Sequence, residues 1–156
     1  MQLTIISVGK IGEPFLKEGF QLYGRRIQRY APLRMLCIPE ERIPARGKTE
    51  YICKKESQRI REKLPREGLF IALDAKGKEF SSEMFSRNLG KWMASGLKEV
   101  AFVLGGPYGL DEVLKNEAHL CLSLSPMTLP HGLAKVVLLE QIYRAFTLLR
   151  GEPYHK

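Results

Sequence analysis

The sequence predicts an α/β domain in which a mostly parallel sheet is flanked by helices. Short apolar runs that end at Gly or Pro alternate with longer amphipathic stretches along the whole chain, which is the pattern of repeated β-α units. Most of the apolar runs are continuous, as expected for strands that are buried on both faces. A length of 156 residues fits a single domain with five such strands.

The first strand and helix are predicted in the N-terminal segment. Gln2–Val8 is apolar and rich in β-branched residues, and Gly9 ends the run, which indicates a buried strand. Pro14 suits the first turn of a helix, because the N–H that proline lacks would be unpaired there in any case. We expect this helix to run to about Tyr30, where Pro32 closes it.

The next segments continue the alternation. Met35–Ile38 is predicted to be a short strand, and the polar residues 40–48, with their Pro and Gly, a loop. Thr49 to Leu64 is predicted to be a helix with sparse apolar positions, so that most of its surface is exposed. Leu69–Leu73 is a third apolar strand, and we expect residues 74–78 (DAKGK) to form a turn.

The fourth strand is predicted between two further helices. Ser81 or Ser82 is the expected N-cap of a helix that ends at Gly96. Val100–Leu104 is the strand, and Asp111 can cap a short helix that follows it.

The chain is predicted to end in a fifth strand and a long helix. Leu120–Leu124 alternates Leu with smaller residues, which indicates a strand with one drier face. The helix from Pro130 to about Arg150 is apolar on nearly all sides. Because one face of a helix can pack on the sheet, we expect a second subunit to cover the opposite face.

The charge of the chain suggests an anionic partner. The formal net charge is +8, and residues 1–78 hold 17 Lys and Arg against 9 Asp and Glu, whereas residues 79–156 hold 8 of each. The segment from Arg42 to Arg66 alone holds 9 basic and 3 acidic residues, so we expect an RNA-docking surface there. The alternative is a merely well-solvated surface.

Other classes of protein are excluded or disfavoured by composition. The values of 44% hydrophobic and 27% charged residues are ordinary for a globular domain. No apolar run is long enough to span a membrane, so we expect no membrane partner. Three widely spaced cysteines without a C-x-x-C pair indicate reduced thiols in the cytoplasm and no metal site.

The turns after Leu73, Leu104 and Leu124 are candidate ligand sites, because ligands of parallel sheets bind beyond the carboxyl ends of the strands. Leu104–Glu112 (LGGPYGLDE) lets the backbone bend sharply and approach a ligand closely, although an ordinary strand-to-helix turn has the same glycines. Leu122–Gly132 (LSLSPMTLPHG) is too apolar for a typical surface connection and suits a binding wall.

The last helix and the tail hold the remaining candidates. Glu140 and Arg144 are four residues apart on the helix, which suits a plain ion pair or an arginine held towards an anionic ligand. The tail offers an aromatic face in Tyr154, a titratable ring in His155 and a cation in Lys156, although terminal tails are often mobile.

Six segments together closely resemble the small bacterial RlmH family of SPOUT-class methyltransferases. They occur in the same order along the whole chain: SVGK, Leu73-Asp74, LGGPYGL, LSLSPMTLPH, EQIYRAF and GEPYHK. The resemblance implies a homodimer that uses S-adenosylmethionine to methylate N3 of a pseudouridine in 23S ribosomal RNA of the ribosome. It also implies that the C-terminal part is threaded into a deep trefoil knot.

The resemblance implies residue roles as well. The cofactor-binding positions carried over from it are Leu73, Gly105, Leu124, Ser125, Pro126, Met127, Thr128 and Leu129. We expect Arg144, Tyr154 and His155 to act as catalytic residues that face the uracil ring or its phosphate. Glu140 would orient Arg144, and His155 would handle the imide proton. No metal is implied.

Two alternatives remain at this level. A non-enzymatic ribosome-binding or assembly factor would share the basic first half but would not need a cofactor pocket. A methyltransferase of the same class could act on another ribosomal RNA position.

Overall fold

A five-stranded, wholly parallel sheet organises the computed structural model, which describes residues 1–42 and 49–155. The strand order is β2-β1-β4-β3-β5, and every neighbouring pair is parallel. The predicted α/β class is therefore confirmed. The elements are β1 Gln2–Val8, α1 Pro14–Ile27, β2 Leu33–Ile38, α2 Thr49–Arg61, β3 Leu69–Glu79, α3 Ser82–Ala94, β4 Glu99–Leu104, α4 Glu112–Glu117, β5 Leu120–Ser123 and α5 His131–Leu149.

The sheet buries both of its faces, as the continuous apolar strands predict. On one face α1, α3 and α5 pack around Phe102 of β4, and Leu138 of α5 is fully buried in this cluster. On the other face α2 and α4 supply Ile60 and Leu114, which pack against Val103 of β4. Since alternate residues of β4 point to opposite faces, one strand anchors both cores.

Local sequence signals set several helix boundaries. Pro14 begins α1, and the Oγ atom of Ser81 accepts a hydrogen bond of 3.2 Å from the backbone N–H of Met84 at the start of α3. Asp111 occupies the N-cap position of α4 but its side chain makes no capping hydrogen bond, so that part of the prediction is wrong. Its backbone N–H instead donates to Ser57 Oγ at 3.3 Å, because α2 packs against this turn.

Most predicted element ends lie within a few residues of those observed. α1 ends at Ile27 rather than Tyr30, and α2 ends at Arg61 rather than Leu64. In both cases a tighter turn follows, in which a backbone N–H bonds to the carbonyl three residues before it. Part of the predicted loop 40–48 lies outside the described residues.

The prediction of a turn over residues 74–78 is wrong, because β3 continues to Glu79. The pairing of β3 with β5 shifts register between Leu73 and Lys78, so the extra residues bulge without ending the strand. A Cβ atom on Gly77 would lie 2.8 Å from the backbone of Cys121, so only glycine lets β5 pass this closely. The DAKGK segment therefore forms a bulged extension of β3.

Helix α5 lies between α1 and α3, which accounts for much of its apolar surface. Leu138, Leu139 and Ile142 are fully buried. Gly19 of α1 makes room for the side chain of Val136, and Gly90 of α3 makes room for Leu149. These packing contacts within one chain cover the flanks of the helix, while its outer face is half-buried. The trefoil knot stays a prediction.

No helix within residues 1–42 and 49–155 has the length and apolar character needed to cross a membrane.

Gly77→Ala should lower the free energy of unfolding by about 1 to 3 kcal/mol, because the added methyl group overlaps the backbone of β5. Urea unfolding measures the change. Gly12→Ala is the matched control, since a Cβ atom there has no neighbour within 4 Å, and it should alter the value by less than about 0.5 kcal/mol. Equal stability of the two variants would contradict the close approach of β3 and β5.

Candidate functional site

A cavity of about 290 Å³ opens at the carboxyl ends of β4 and β5, beside the bulged part of β3 that follows Leu73. We call it the strand-end pocket. Three segments and the start of α5 form its walls, in the position expected for ligands of parallel sheets. The lining residues are Leu73, Asp74, Ala75, Lys76, Leu104, Gly105, Gly106, Pro107, Gly109, Leu124, Ser125, Met127, Thr128, Leu129, His131 and Ala134.

The strand-end pocket brings together seven of the eight sequence-predicted cofactor positions. They are Leu73, Gly105, Leu124, Ser125, Met127, Thr128 and Leu129. Pro126 lies in the same loop but is exposed and does not line the cavity. Its ring stiffens the loop from outside, because a proline fixes its own φ and restricts the residue before it.

The glycine turn after β4 forms one wall. A Cβ atom on Gly105 would lie 2.5 Å from the carbonyl oxygen of Gly109, so the two backbones touch. Gly106 and Gly109 form an isolated β-bridge, and Gly109 has a φ of +79°, a conformation that strains other residues. The turn is therefore a compact hairpin of backbone that presents little side-chain bulk to the pocket.

Helix α2 supports this turn from behind, which the sequence did not reveal. Cys53 Sγ donates to the carbonyl of Tyr108 at 3.4 Å. The carboxylate of Glu56 is buried against Gly106, and its Oε1 atom accepts a hydrogen bond of 3.0 Å from the backbone N–H of Glu41. Burial is the largest cause that raises the pKa of Glu56, and the negative charge of Glu40 adds to it. Only packing reveals this residue, since α2 lies far from the turn in sequence.

The loop after β5 is joined by hydrogen bonds to the bulged part of β3. Ser123 Oγ contacts the carbonyl of Ala75 at 3.1 Å and that of Ser125 at 3.0 Å. Ser125 Oγ in turn accepts from the backbone N–H of Met127 at 3.0 Å. The side chain of Met127 is 75% exposed and stands at the rim. Short polar contacts therefore hold this otherwise apolar loop open beside the cavity.

Asp74 adds a carboxylate to the wall. Its Oδ2 atom accepts from Lys115 Nζ at 2.9 Å, and its Oδ1 atom accepts from the backbone N–H of Lys76 at 2.8 Å. Burial raises the pKa of Asp74, but these two hydrogen bonds outweigh it, so the pKa lies below its ordinary value of 3.8. Asp74 is thus ionised at neutral pH. A polar side chain directly after a predicted strand was the signal that could have identified it.

The start of α5 completes the pocket. His131 Nε2 lies 4.0 Å from Glu40 Oε1, and the ammonium of Lys135 one turn later is 1% exposed. Lys135 Nζ donates to the carbonyls of Val8 at 2.7 Å and Gly9 at 2.5 Å. Burial lowers the pKa of Lys135. This contact joins the first turns of α5 to the end of β1.

The strand-end pocket suits a flat ligand with polar edges. Its volume is at the lower end of the range of about 300 to 1,000 Å³ typical of small-molecule sites. Leucine side chains provide apolar walls, and the glycine turn allows close approach to backbone amides and carbonyls. In the part of the chain that the structure describes, no group of three or more His, Cys, Asp or Glu side chains could hold a metal ion.

The structure also brings together Arg144, Tyr154 and His155, the three residues predicted to be catalytic, and places Glu140 beside them. We call these four residues the tail cluster. Arg144 donates to Glu140 Oε1 from Nη2 at 2.6 Å and from Nε at 3.0 Å. The hydroxyl of Tyr154 donates to the same oxygen at 3.1 Å, and its ring lies 4.8 Å from the guanidinium carbon. Glu140 therefore orients both side chains.

Protonation in the tail cluster follows from these contacts. Burial, followed by the hydroxyl of Tyr23 and the charge of Glu140, raises the pKa of Tyr154, which remains a hydroxyl donor at neutral pH. Arg144 Nη1 lies 3.3 Å from His155 Nδ1. Because a guanidinium can only donate, this nitrogen accepts and Nε2 carries the proton towards Glu83 Oε1 at 3.0 Å. Both ring nitrogens are engaged in this arrangement.

The strand-end pocket and the tail cluster lie apart within one chain. Ala134 lines the pocket, and Arg144 follows ten residues later on the same helix. At 1.5 Å per residue, this places them about 15 Å apart along the axis of α5. The two groups therefore do not form one site within a single subunit.

Comparisons with known proteins agree on one family. The profile of the family described as "Predicted SPOUT methyltransferase" matches residues 1–155. The chain is 42% identical to the "Ribosomal RNA large subunit methyltransferase H" of Streptococcus suis, and 42% identical to the protein of that name from Acetivibrio thermocellus. Each alignment covers 100% of both chains.

Solved structures with low sequence identity share the fold. A "Probable Methyltransferase" from Bordetella pertussis has a TM-score of 0.57 at 16% identity, covering 92% of this chain and 93% of its own. A Legionella pneumophila protein solved with the bound cofactor SAM has a TM-score of 0.54 at 17% identity, covering 93% of this chain and 66% of its own. Together with the profile match and the full-length relatives, this establishes that the chain belongs to the SPOUT methyltransferase family.

Proposed function

We propose that this protein transfers a methyl group from S-adenosylmethionine to large-subunit ribosomal RNA, at N3 of a pseudouridine. The observation that carries the proposal is the strand-end pocket, into which seven of the eight expected cofactor positions converge. The names of the full-length relatives support ribosomal RNA as the substrate. Acting on ribosomes would place the protein in the cytoplasm.

The residues of the strand-end pocket fit S-adenosylmethionine, whose sulfonium supplies an activated methyl group when it is bound. Leu73, Leu124 and Leu129 would pack against the flat apolar part of the cofactor. The glycine turn would contact it through backbone, because Gly105 leaves no side chain in the way. The carboxylate of Asp74 is paired with Lys115, so it adds a polar group but little net charge to the wall. These groups bind and orient, which is the main requirement for transfer from an activated donor.

The tail cluster would hold the target base. Arg144, fixed by Glu140, and the hydroxyl of Tyr154 are donors suited to the carbonyl oxygens of a uracil ring or to negative charge that develops on it. N3 must lose its proton during the reaction, and His155 is the titratable side chain beside these donors. Since both nitrogens of His155 are engaged in the free chain, one contact must open before the ring takes that proton.

We propose that the active unit is a homodimer in which the tail cluster of one subunit faces the strand-end pocket of its partner. Two observations support this. The pocket and the cluster are about 15 Å apart along α5 within one chain, too far for direct transfer. The outer face of α5, including Leu133 and Val137, is only half-buried and suits a self-complementary contact.

Docking of the RNA would use the exposed side of α2. Lys54 and Lys55 are exposed there, and Lys55 Nζ lies 5.8 Å from the ring of Tyr51. Arg59 forms an ion pair with Glu41 and donates to the carbonyl of Pro39, so its charge is largely compensated within the chain. We propose that this surface contacts phosphates of the assembled ribosome and is separate from methyl transfer.

Mass mapping of ribosomal RNA tests the function. A deletion strain should lack one methyl group on a pseudouridine of 23S ribosomal RNA, and the intact protein should restore it. Gly105→Ala should not restore it, because the added methyl group overlaps the Gly109 carbonyl and distorts the pocket. Gly12→Ala should restore it fully.

Other outcomes of the mapping would contradict the proposal. A methyl group missing at another nucleotide would refute the pseudouridine assignment. Unchanged methylation in the deletion strain would indicate a non-enzymatic ribosome-binding factor.

Mixed dimers test the sharing of the site between subunits. Gly105→Ala disables the pocket and Arg144→Ala disables the tail cluster, so each homodimer should be inactive. Co-expressed at equal levels with two different tags, the variants should recover about a quarter of the wild-type methylation rate. Half of the dimers then carry both variants, and each of these has one intact site across the interface. Recovery of no activity in a purified mixed dimer would show that pocket and tail act within one chain.

Charge reversal on α2 tests the docking surface. Lys54→Glu with Lys55→Glu should raise the KM for ribosomes about tenfold or more and flatten its salt dependence, because fewer counterions are released on binding. Cofactor affinity, measured by calorimetry, should stay unchanged. Arg87→Glu with Lys91→Glu is the charge-matched control, because both residues are exposed on α3. A loss of cofactor affinity in the α2 variant would contradict the separation of docking from methyl transfer.

A further inference from the structure

Arg26, in the last turn of α1, has an unusual environment that the proposed function does not use. Its guanidinium carbon lies 5.5 Å from the ring centre of Tyr23 and 5.3 Å from that of Tyr143. The side chain is half-buried, whereas its neighbour Arg25 is exposed. A guanidinium plane held against two aromatic rings keeps a defined orientation and leaves its N–H edge available.

The two rings beneath Arg26 are continuous with the tail cluster. The ring centres of Tyr143 and Tyr154 are 4.7 Å apart in an edge-on arrangement. The hydroxyl of Tyr23 lies 3.4 Å from that of Tyr154. Arg26 therefore belongs to the same surface as Arg144 and is separated from it by a layer of tyrosine rings.

The charges on this surface are distributed unequally. The guanidinium of Arg144 is engaged by Glu140 through two of its nitrogens and by His155 through the third. Within residues 1–42 and 49–155, no carboxylate lies within ion-pair distance of Arg26, and its side chain has no hydrogen-bond acceptor there. Arg26 thus presents an uncompensated, oriented positive charge next to the residues that would hold the target base.

We propose that Arg26 binds a backbone phosphate of the RNA strand on one side of the target nucleotide. The inference rests on the proposed function, since it places Arg26 beside the base held by the tail cluster. A guanidinium fork matches the oxygens of a phosphate in a bidentate arrangement. The tyrosine layer separates Arg26 from Arg144, so that the strand can be held at its backbone while the base is held at its edge.

A second copy of this chain is the other possible occupant of the surface, and it is less favourable. Burying Arg26 there without a carboxylate would carry a substantial desolvation cost. An RNA strand instead supplies an anion at every nucleotide.

Arg26→Ala and Arg25→Ala form a matched pair for the test, because each removes one positive charge from the last turn of the same helix. With the intact ribosome as substrate, Arg26→Ala should raise the KM about tenfold. It should also reduce the slope of log KM against log salt concentration by about one, as expected for the loss of one phosphate contact. The dissociation constant for S-adenosylmethionine, measured by calorimetry, should stay the same. Arg25→Ala should change each value less than twofold.

The comparison of Arg26→Ala with Arg25→Ala can also contradict the proposal. Equal effects of the two substitutions would overturn the proposal, as would an effect of Arg26→Ala on kcat alone. Conversion of the dimer to a monomer by Arg26→Ala, seen by light scattering, would instead identify a subunit contact and also overturn it. Arg26→Gln, which retains packing on the rings, should show the same loss of salt slope if the alanine variant fails to fold. Failure of the proposed function would appear separately, as absence of methylation by the unsubstituted protein in the same assay.

Discussion

The buried ammonium of Lys135 holds together the parts of the molecule on which a site could be built. It donates to the carbonyls of Val8, the last residue of β1, and of Gly9, and so fixes the first turns of α5 against β1. The same helix lines the strand-end pocket at one end and carries Arg144 at the other. A buried cation is costly unless its donors are satisfied, and two carbonyl acceptors at the end of a strand satisfy it without a carboxylate. The position of α5 against β1 depends on this contact.

The strand-end pocket and the tail cluster differ in polarity and therefore in what each can bind. The strand-end pocket combines leucine side chains with bare backbone, which suits the binding and orientation of a small molecule. The tail cluster is polar, with one carboxylate, Glu140, accepting hydrogen bonds from Arg144 and Tyr154. Hydrogen bonds to a charged group of this kind contribute about 1.5 to 3 kcal/mol each, enough to hold a C-terminal tail that would otherwise be mobile. The tail is thereby ordered on α5 and available as part of a site.

Local sequence predicted the sheet and most helices because hydrophobic periodicity and capping are local signals. The continuous apolar run of Gln2–Val8 indicated a buried strand, and Ser81 or Ser82 was the expected N-cap of α3. The structure confirms the strand and shows the cap at Ser81. The prediction for residues 74–78 was wrong for a reason that is not local. DAKGK has the composition of a turn, but β5 lies alongside it, and pairing with that strand outweighs turn propensity. Asp111 was similarly expected to cap α4, but Ser57 of α2 engages its backbone and its side chain makes no cap.

Sequence patterns alone predicted the fold class, the loops after β4 and β5, and the candidate residues Tyr154 and His155 of the tail. These follow from patterns within short segments and from the order of motifs along the chain. The support of the glycine turn by Glu56 and the position of Pro126 outside the pocket follow from the packing of distant segments. The same packing placed Arg26 on the rings of Tyr23 and Tyr143, next to the tail cluster. Burial and charge compensation depend on which distant segments pack together, and short sequence patterns do not contain that information. Glu56 contacts Gly106, and Arg26 contacts Tyr143, only because the folded sheet brings their helices and turns together.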